Sequence, residues 1–153
     1  MDDRRPRLRL FGAALAFAAC TNTLAADSGL NGCLYWLDAT AQKWTPEEWK
    51  RQVEFMDRAG LRQVIAVGPA IPAADRWASA DPLVEAADRL MAACSGTDLR
   101  IYLSLWSHPL WYGRWDLGEE LSTNRRVVER LAERYGRHPN FAGWYIPHEI
   151  YVV

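Results

Sequence analysis

The sequence lacks the features that mark several common functional classes. Its 18 Lys and Arg residues are balanced by 19 Asp and Glu residues, and no basic stripe indicates nucleic-acid binding. No Gly-x-Gly-x-x-Gly or Walker-type phosphate motif follows a predicted strand, which argues against a nucleotide-binding doubly wound fold. No His-x-x-x-His or paired-cysteine spacing indicates a metal site. We therefore predict no cofactor, no metal and no nucleic-acid partner.

The sequence also lacks an apolar run long enough to cross a bilayer. The run Leu10–Ala19 is much shorter than the roughly 20 residues of a transmembrane helix. A positively charged segment with Arg4, Arg5, Arg7 and Arg9 precedes it, and the small residues Thr23-Leu24-Ala25-Ala26 follow. This order predicts a signal peptide over residues 1–26 and export to the periplasm or the extracellular space.

Cysteine is scarce, with 3 residues in the chain. Cys20 belongs to the predicted signal segment, and Ala18-Ala19-Cys20 resembles a lipoprotein box with Phe17 where an aliphatic residue is usual. A lipid anchor at Cys20, on the cell envelope, is therefore the alternative to simple secretion. Cys33 and Cys94 are expected to be buried thiols, and the alternative in an oxidising compartment is a disulfide between them.

Strand and helix patterns alternate along residues 27–153, which we predict to form one domain. Thr45-Pro46-Glu47-Glu48 combines a helix cap, a proline at the first helical position and a capping box, and Gly60 is a suitable helix end. Further helices are predicted from Asp81-Pro82 to about Cys94 and from about Glu119 to Tyr135. Short apolar runs predict strands at Gly32–Leu37, Leu61–Val67, Leu99–Leu105 and Phe141–Ile146.

About four successive βα units predict an α/β fold with a parallel sheet and right-handed crossovers. A (β/α)8 TIM barrel fits this pattern, but such barrels typically take about 250 residues. We therefore interpret the domain as the N-terminal half of a TIM barrel with open sheet edges, through which copies of the chain could self-associate. Trp49 and Trp144 are expected in the core, and the residues expected on the inward face of the strands include Leu34, Ile65, Leu103 and Trp144.

Aromatic and polar residues concentrate where the predicted strands end, which is where barrel enzymes assemble their active sites. Indole and phenol rings stack on the C–H faces of sugars, and carboxylates and imidazoles bind hydroxyls, so this pattern predicts a saccharide cleft. For Trp36 and Trp106, a place in the core is an equal alternative. The predicted carbohydrate-binding residues are Trp36, Asp38, Trp106, His108, Trp111, Tyr112, Trp115 and His148.

The last predicted strand leads directly into the pair His148-Glu149. A carboxylate at the mouth of a barrel strand is a candidate general acid/base, and Glu149 is predicted in that role. Two other interpretations are a structural ion pair made by Glu149 and a metal site formed by His108, His148 and Glu149.

The stretches Trp44-Thr45-Pro46-Glu47-Glu48-Trp49 and Asp57-Arg58-Ala59-Gly60-Leu61, and above all Tyr135–Ile150, resemble a bacterial family of domains of unknown function. Its members are regarded as glycoside hydrolases with TIM barrels, and the resemblance covers about Gly29 to Ile150. It implies that Glu149 is the acid/base at the end of strand four, with His148 in the place of the Asn usual in that glycosidase clan. The clan's nucleophile comes from strand seven, so the resemblance implies a glycosidase that is incomplete and inactive on its own. The alternatives are a non-catalytic saccharide-binding module and a truncated gene product.

Overall fold

The computed structural model describes residues 31–68, 82–107 and 116–148, so the predicted signal peptide and Cys20 lie outside the described residues. A short strand and a helix alternate along the chain, with a 3-10 turn at Ala41–Lys43. The strands are β1 (Gly32–Trp36), β2 (Gln63–Val67), β3 (Arg100–Ser104) and β4 (Phe141–Tyr145). The α-helices are α1 (Pro46–Arg58), α2 (Pro82–Cys94) and α3 (Leu117–Tyr135).

The strands form one parallel sheet in the order β1-β2-β3-β4. Leu34 pairs with Ile65, Ile65 with Tyr102, and Tyr102 with Gly143, so a single row of residues crosses the whole sheet. Consecutive parallel strands connected by helices are the arrangement found in half of a (β/α)8 barrel. The predicted α/β class and parallel sheet are confirmed.

Helix α1 begins at the predicted capping box. The Thr45 hydroxyl accepts the backbone N–H of Glu48 at 3.2 Å, and the Glu48 carboxylate accepts the backbone N–H of Thr45 at 2.8 Å. Hydrogen bonding from Thr45 lowers the pKa of Glu48, because it favours the ionised carboxylate. Gly60, with a φ of 79°, turns the chain after the helix, as expected of a glycine at that position.

One face of the sheet packs against the helices and forms the core. Trp49 is fully buried there, as predicted. Leu103 is fully buried on the same face because it pairs with Ala66 and not with Ile65, so its predicted inward orientation is wrong. Trp144 pairs with Leu103 after a register shift in β4, packs its ring 4.9 Å from that of Phe141, and also borders the open face.

The other face of the sheet is open in the described part of the chain. Leu34 is 44% exposed and Trp36 is 65% exposed, which confirms the predicted inward direction of Leu34. A shallow cavity of about 500 Å³ lies over this face, and its apolar lining includes Leu34, Ile65, Tyr102, Trp144 and Tyr145. An apolar sheet face of this kind is what a barrel would enclose.

Helices α2 and α3 are joined by a polar brace that fixes the position of α3. The Asp88 carboxylate accepts from Nε of Arg134 at 2.8 Å and from the Tyr135 hydroxyl at 2.9 Å, and it also contacts Nη2 of Arg134. Burial raises the pKa of Tyr135, and the negative charge of Asp88 raises it further. The brace matters for the site because α3 carries polar residues that reach two strand ends.

Both cysteines in the described residues are free thiols, as expected, although Cys33 is only half-buried while Cys94 is fully buried. Burial raises the pKa of both thiols, that of Cys94 to about 12. No α-helix within the described ranges has the length and hydropathy needed to span a membrane.

Candidate functional site at the carboxyl edge of the sheet

The carboxyl ends of β1 to β4 lie along one edge of the sheet, because all four strands are parallel. Four predicted site residues are described and lie at or just after these ends: Trp36, Asp38, Trp106 and His148. The other five predictions fall outside the described residues: His108, Trp111, Tyr112, Trp115 and Glu149. The geometry of this edge is therefore given by the four described residues.

The two tryptophans at this edge differ in their surroundings. Trp36 ends β1 and is mostly exposed, at 65%, on the open side of the sheet. Trp106 follows β3, is half-buried, and packs against the core. An exposed indole at a strand end is available for stacking on a ligand, whereas Trp106 combines a packing role with a position beside the edge.

Asp38 holds the loop after β1. Its Oδ1 accepts the backbone N–H groups of Thr40 and Ala41, both at 2.9 Å, which caps the 3-10 turn. Gln42 adds a hydrogen bond from its side-chain amide to the carbonyl of Leu37 at 2.9 Å. Asp38 is exposed, and its Oδ1 is committed to the loop. Its predicted role in binding sugar hydroxyls stays a prediction.

Asn124, in α3, clamps the backbone that follows β3. Its Oδ1 accepts the N–H of Trp106 at 2.9 Å, and its Nδ2 donates to the carbonyl of Trp106, also at 2.9 Å. A side-chain amide that satisfies both the N–H and the carbonyl of one residue mimics strand pairing. The clamp fixes the position from which the β3–α3 loop starts.

Glu120 lies one helical turn before Asn124 and is only 5% exposed. Its Oε1 accepts from Nδ2 of Asn124 at 3.2 Å and lies 3.0 Å from Nε2 of His148. The side chain of His148 is also largely buried, at 13% exposure. A polar chain thus runs from the β3 end through Asn124 and Glu120 to the end of β4.

Sequence reasoning missed Glu120 and Asn124, although a signal for Glu120 exists. Helical spacing places Glu120 on the same stripe as Thr123, Val127 and Leu131, which are all buried. A carboxylate on the apolar stripe of a helix needs a buried partner, so this pattern indicates a candidate site residue. Here the partner is His148, and its approach could not be foreseen because it depends on how α3 packs beside β4.

The described ranges contain no cluster of ligating side chains that could hold a metal ion. The predicted metal alternative involves His108 and Glu149, which lie outside those ranges, so it stays untested. The cavity over the open face reaches Tyr145, the last residue of β4, and its lining among the described residues does not include Trp36, Asp38, Trp106 or His148.

The sequence of this chain is similar to that of a known protein family. Residues 30–153 match the family described as Domain of unknown function (DUF4434). The chain belongs to the DUF4434 family. The predicted membership of a family of domains of unknown function is confirmed at this level. No curated protein matches the chain.

The DUF4434 chain is also similar in fold to a solved structure, that of a putative alpha-L-fucosidase from Bacteroides thetaiotaomicron. The TM-score is 0.59 at 22% sequence identity, and the match covers 76% of this chain and 40% of the Bacteroides chain. At this identity the similarity shows a shared α/β fold. The matching part of the DUF4434 chain therefore covers less than two thirds of the Bacteroides chain.

Proposed function

We propose that this DUF4434 chain is a glycoside hydrolase-like protein that binds a carbohydrate at the carboxyl edge of its sheet. The observation that carries the proposal is the buried pair of Glu120 and His148 after β4, which Asn124 connects to the backbone of Trp106 after β3. Burying a carboxylate and an imidazole costs free energy that apolar side chains would not incur, so the presence of this pair at the strand ends favours a functional reason. Indole rings and fixed polar groups together are the usual lining of a sugar site.

Glu149 is proposed as the general acid/base. It directly follows His148 in sequence, and barrel enzymes present catalytic residues in the segments that follow their strands. An apolar and aromatic surround would raise the pKa of such a carboxyl and allow it to protonate a leaving glycosidic oxygen. The fold shared with the Bacteroides protein supports the same reaction class, and its name makes an α-L-fucoside the first substrate to test.

Hydrolysis by this route needs a second carboxylate, about 5–5.5 Å from the first for retention or about 6.5–9.5 Å for inversion. Asp38, after β1, and Glu120, beside His148, are both held by protein groups. We therefore assign the second carboxylate to polypeptide other than the four described strands. The proposed role of the described residues is binding and presentation of the acid.

The experiment is a screen of the full chain against p-nitrophenyl glycosides, with the α-L-fucoside among them, and against oligosaccharides. Binding is measured by calorimetry and turnover by p-nitrophenol release. We expect weak sugar binding, and any turnover should disappear in Glu149→Gln while binding is kept. Absence of binding to every compound, or turnover unchanged in Glu149→Gln, would contradict the proposal.

A non-catalytic saccharide-binding module is the second candidate. It is favoured by the commitment of Asp38 Oδ1 to backbone N–H groups, since that carboxylate already has a structural task. In that case sugar binding would depend on Trp36 and persist in Glu149→Gln, and no polypeptide that contains this domain would release p-nitrophenol.

A further inference from the structure

The orientation of the Asn124 side chain is dictated by the backbone of Trp106. A backbone N–H can only donate and a carbonyl can only accept, so Oδ1 of Asn124 faces the N–H and Nδ2 faces the carbonyl, each at 2.9 Å. The second hydrogen of Nδ2 is then directed to Oε1 of Glu120 at 3.2 Å. Oε1 of Glu120 is therefore an acceptor.

This acceptor lies 3.0 Å from Nε2 of His148. At that distance the carboxylate oxygen repels a lone pair on Nε2 and attracts an N–H hydrogen, so the contact favours the imidazole form with a hydrogen on Nε2. The attraction is electrostatic, because the two atoms are close but not aligned as a hydrogen bond. Both side chains are largely buried, at 13% exposure for His148 and 7% for Glu120, which limits the freedom of the imidazole.

We propose that Glu120 is the positioning residue of the saccharide site, holding the imidazole of His148 at the end of β4 with Nε2 protonated. The inference rests on the proposed function, in which His148 contacts a sugar hydroxyl. Glu120 affects the sugar only by positioning the imidazole of His148. The backbone of Trp106 orients the Asn124 side chain, which in turn donates to Glu120. The network thus adds a side-chain link between the ends of β3 and β4, whose backbones are already joined by the hydrogen bond from the Leu105 N–H to the Tyr145 carbonyl at 2.7 Å.

The tautomer of His148 is a direct readout that needs no ligand. Histidine-labelled full chain is examined by ¹H–¹⁵N correlation NMR, and His148→Gln assigns the signal among the 3 His residues. We expect a hydrogen on Nε2 in the wild type and in Glu120→Gln, which keeps an acceptor. In Glu120→Met the acceptor is gone, and the Nδ1–H tautomer should appear. A wild-type Nδ1–H tautomer, or a Glu120→Met spectrum identical to the wild type, would overturn the proposal.

Sugar binding provides the second readout, with p-nitrophenyl α-L-fucopyranoside as the probe. We expect Glu120→Met to weaken binding by about tenfold and Glu120→Gln by less than about threefold, since the Gln side chain restores the acceptor. Glu129→Met, at an exposed position of the same helix, is the matched control and should bind as the wild type. Equal binding by Glu120→Met and wild type would overturn the positioning role. A wild type that binds no glycoside contradicts the proposed function, and the NMR result still decides the role of Glu120.

Discussion

Replacing Asn124 by Asp is the sharpest perturbation of the network, because the shape of the side chain is kept and one donor becomes an acceptor. In the wild type, Nδ2 of Asn124 faces the Trp106 carbonyl at 2.9 Å and Oε1 of Glu120 at 3.2 Å. In Asn124→Asp, an oxygen faces both acceptors. Asn124→Ala is the matched comparison, since it removes the contacts without adding a charge.

The two variants differ in the expected loss of unfolding free energy. Asn124→Ala removes three hydrogen bonds, two to Trp106 and one to Glu120, at about 1 kcal/mol each, so the loss is about 3 kcal/mol. Asn124→Asp keeps the bond from the Trp106 N–H but places two carboxylates about 3.2 Å apart. At an effective dielectric constant of about 20 their repulsion is roughly 5 kcal/mol, and the neighbouring His148 offsets part of it. Asn124→Asp should therefore be the less stable of the two.

The assay is urea denaturation of the full chain at pH 7, at one fixed protein concentration. Asn31→Asp adds the same charge at an exposed residue and should leave the midpoint nearly unchanged. The difference between Asn124→Asp and Asn124→Ala should shrink at acid pH as the added carboxyl becomes protonated. If Asn124→Asp is as stable as Asn124→Ala at pH 7, then Glu120 does not accept from Asn124, and the reasoning on the His148 tautomer fails as well.

Two further predictions concern the thiol and the open face. The pKa of Cys94 is raised by burial to about 12 from 9.0, so the unfolded chain loses this proton at lower pH than the folded one. The stability contributed by the thiol is therefore full below pH 9.0 and falls as the pH rises toward 12, by about 1 kcal/mol per pH unit. Between pH 8 and pH 10, urea denaturation should show a smaller decline in unfolding free energy for Cys94→Ala than for the wild type. An equal decline in the two proteins would contradict the raised pKa of Cys94. The apolar open face should drive self-association of the chain. Sedimentation velocity should show less self-association in Leu34→Asp than in Phe55→Asp. The second variant is the control, because it adds the same charge on α1 at a residue that is 59% exposed. Equal association by the two variants would show that the open face is not the contact.

The sequence predicted well what depends on neighbouring residues. The start of α1 follows from Thr45, Pro46 and Glu48, whose capping interactions are local, and the structure reproduces them. The strands follow from short apolar runs, and their parallel order follows from the helices between them. Such features need no knowledge of how distant segments pack.

Features that depend on packing between distant segments were missed. Leu103 was assigned to the wrong face because period-2 alternation leaves the choice of face open until the pairing with Ala66 is known. The register shift in β4 changes which residues of that strand lie level with Leu103, and alternation alone does not reveal it. Glu120 and His148 lie 28 positions apart in the printed sequence, on α3 and after β4, and only the fold brings them within 3.0 Å.

The central claim is that a carbohydrate binds at the carboxyl edge of the sheet, and ligand mapping by NMR tests it most directly. p-Nitrophenyl α-L-fucopyranoside is titrated into the ¹⁵N-labelled full chain, with p-nitrophenol as the control for the aryl group. We expect the fucoside to shift the indole signals of Trp36 and Trp106 and the imidazole signals of His148, and p-nitrophenol to leave them unchanged. Shifts confined to residues far from this edge, such as Lys50 and Ala92 on the outer helices, or identical shifts with both compounds, would contradict it.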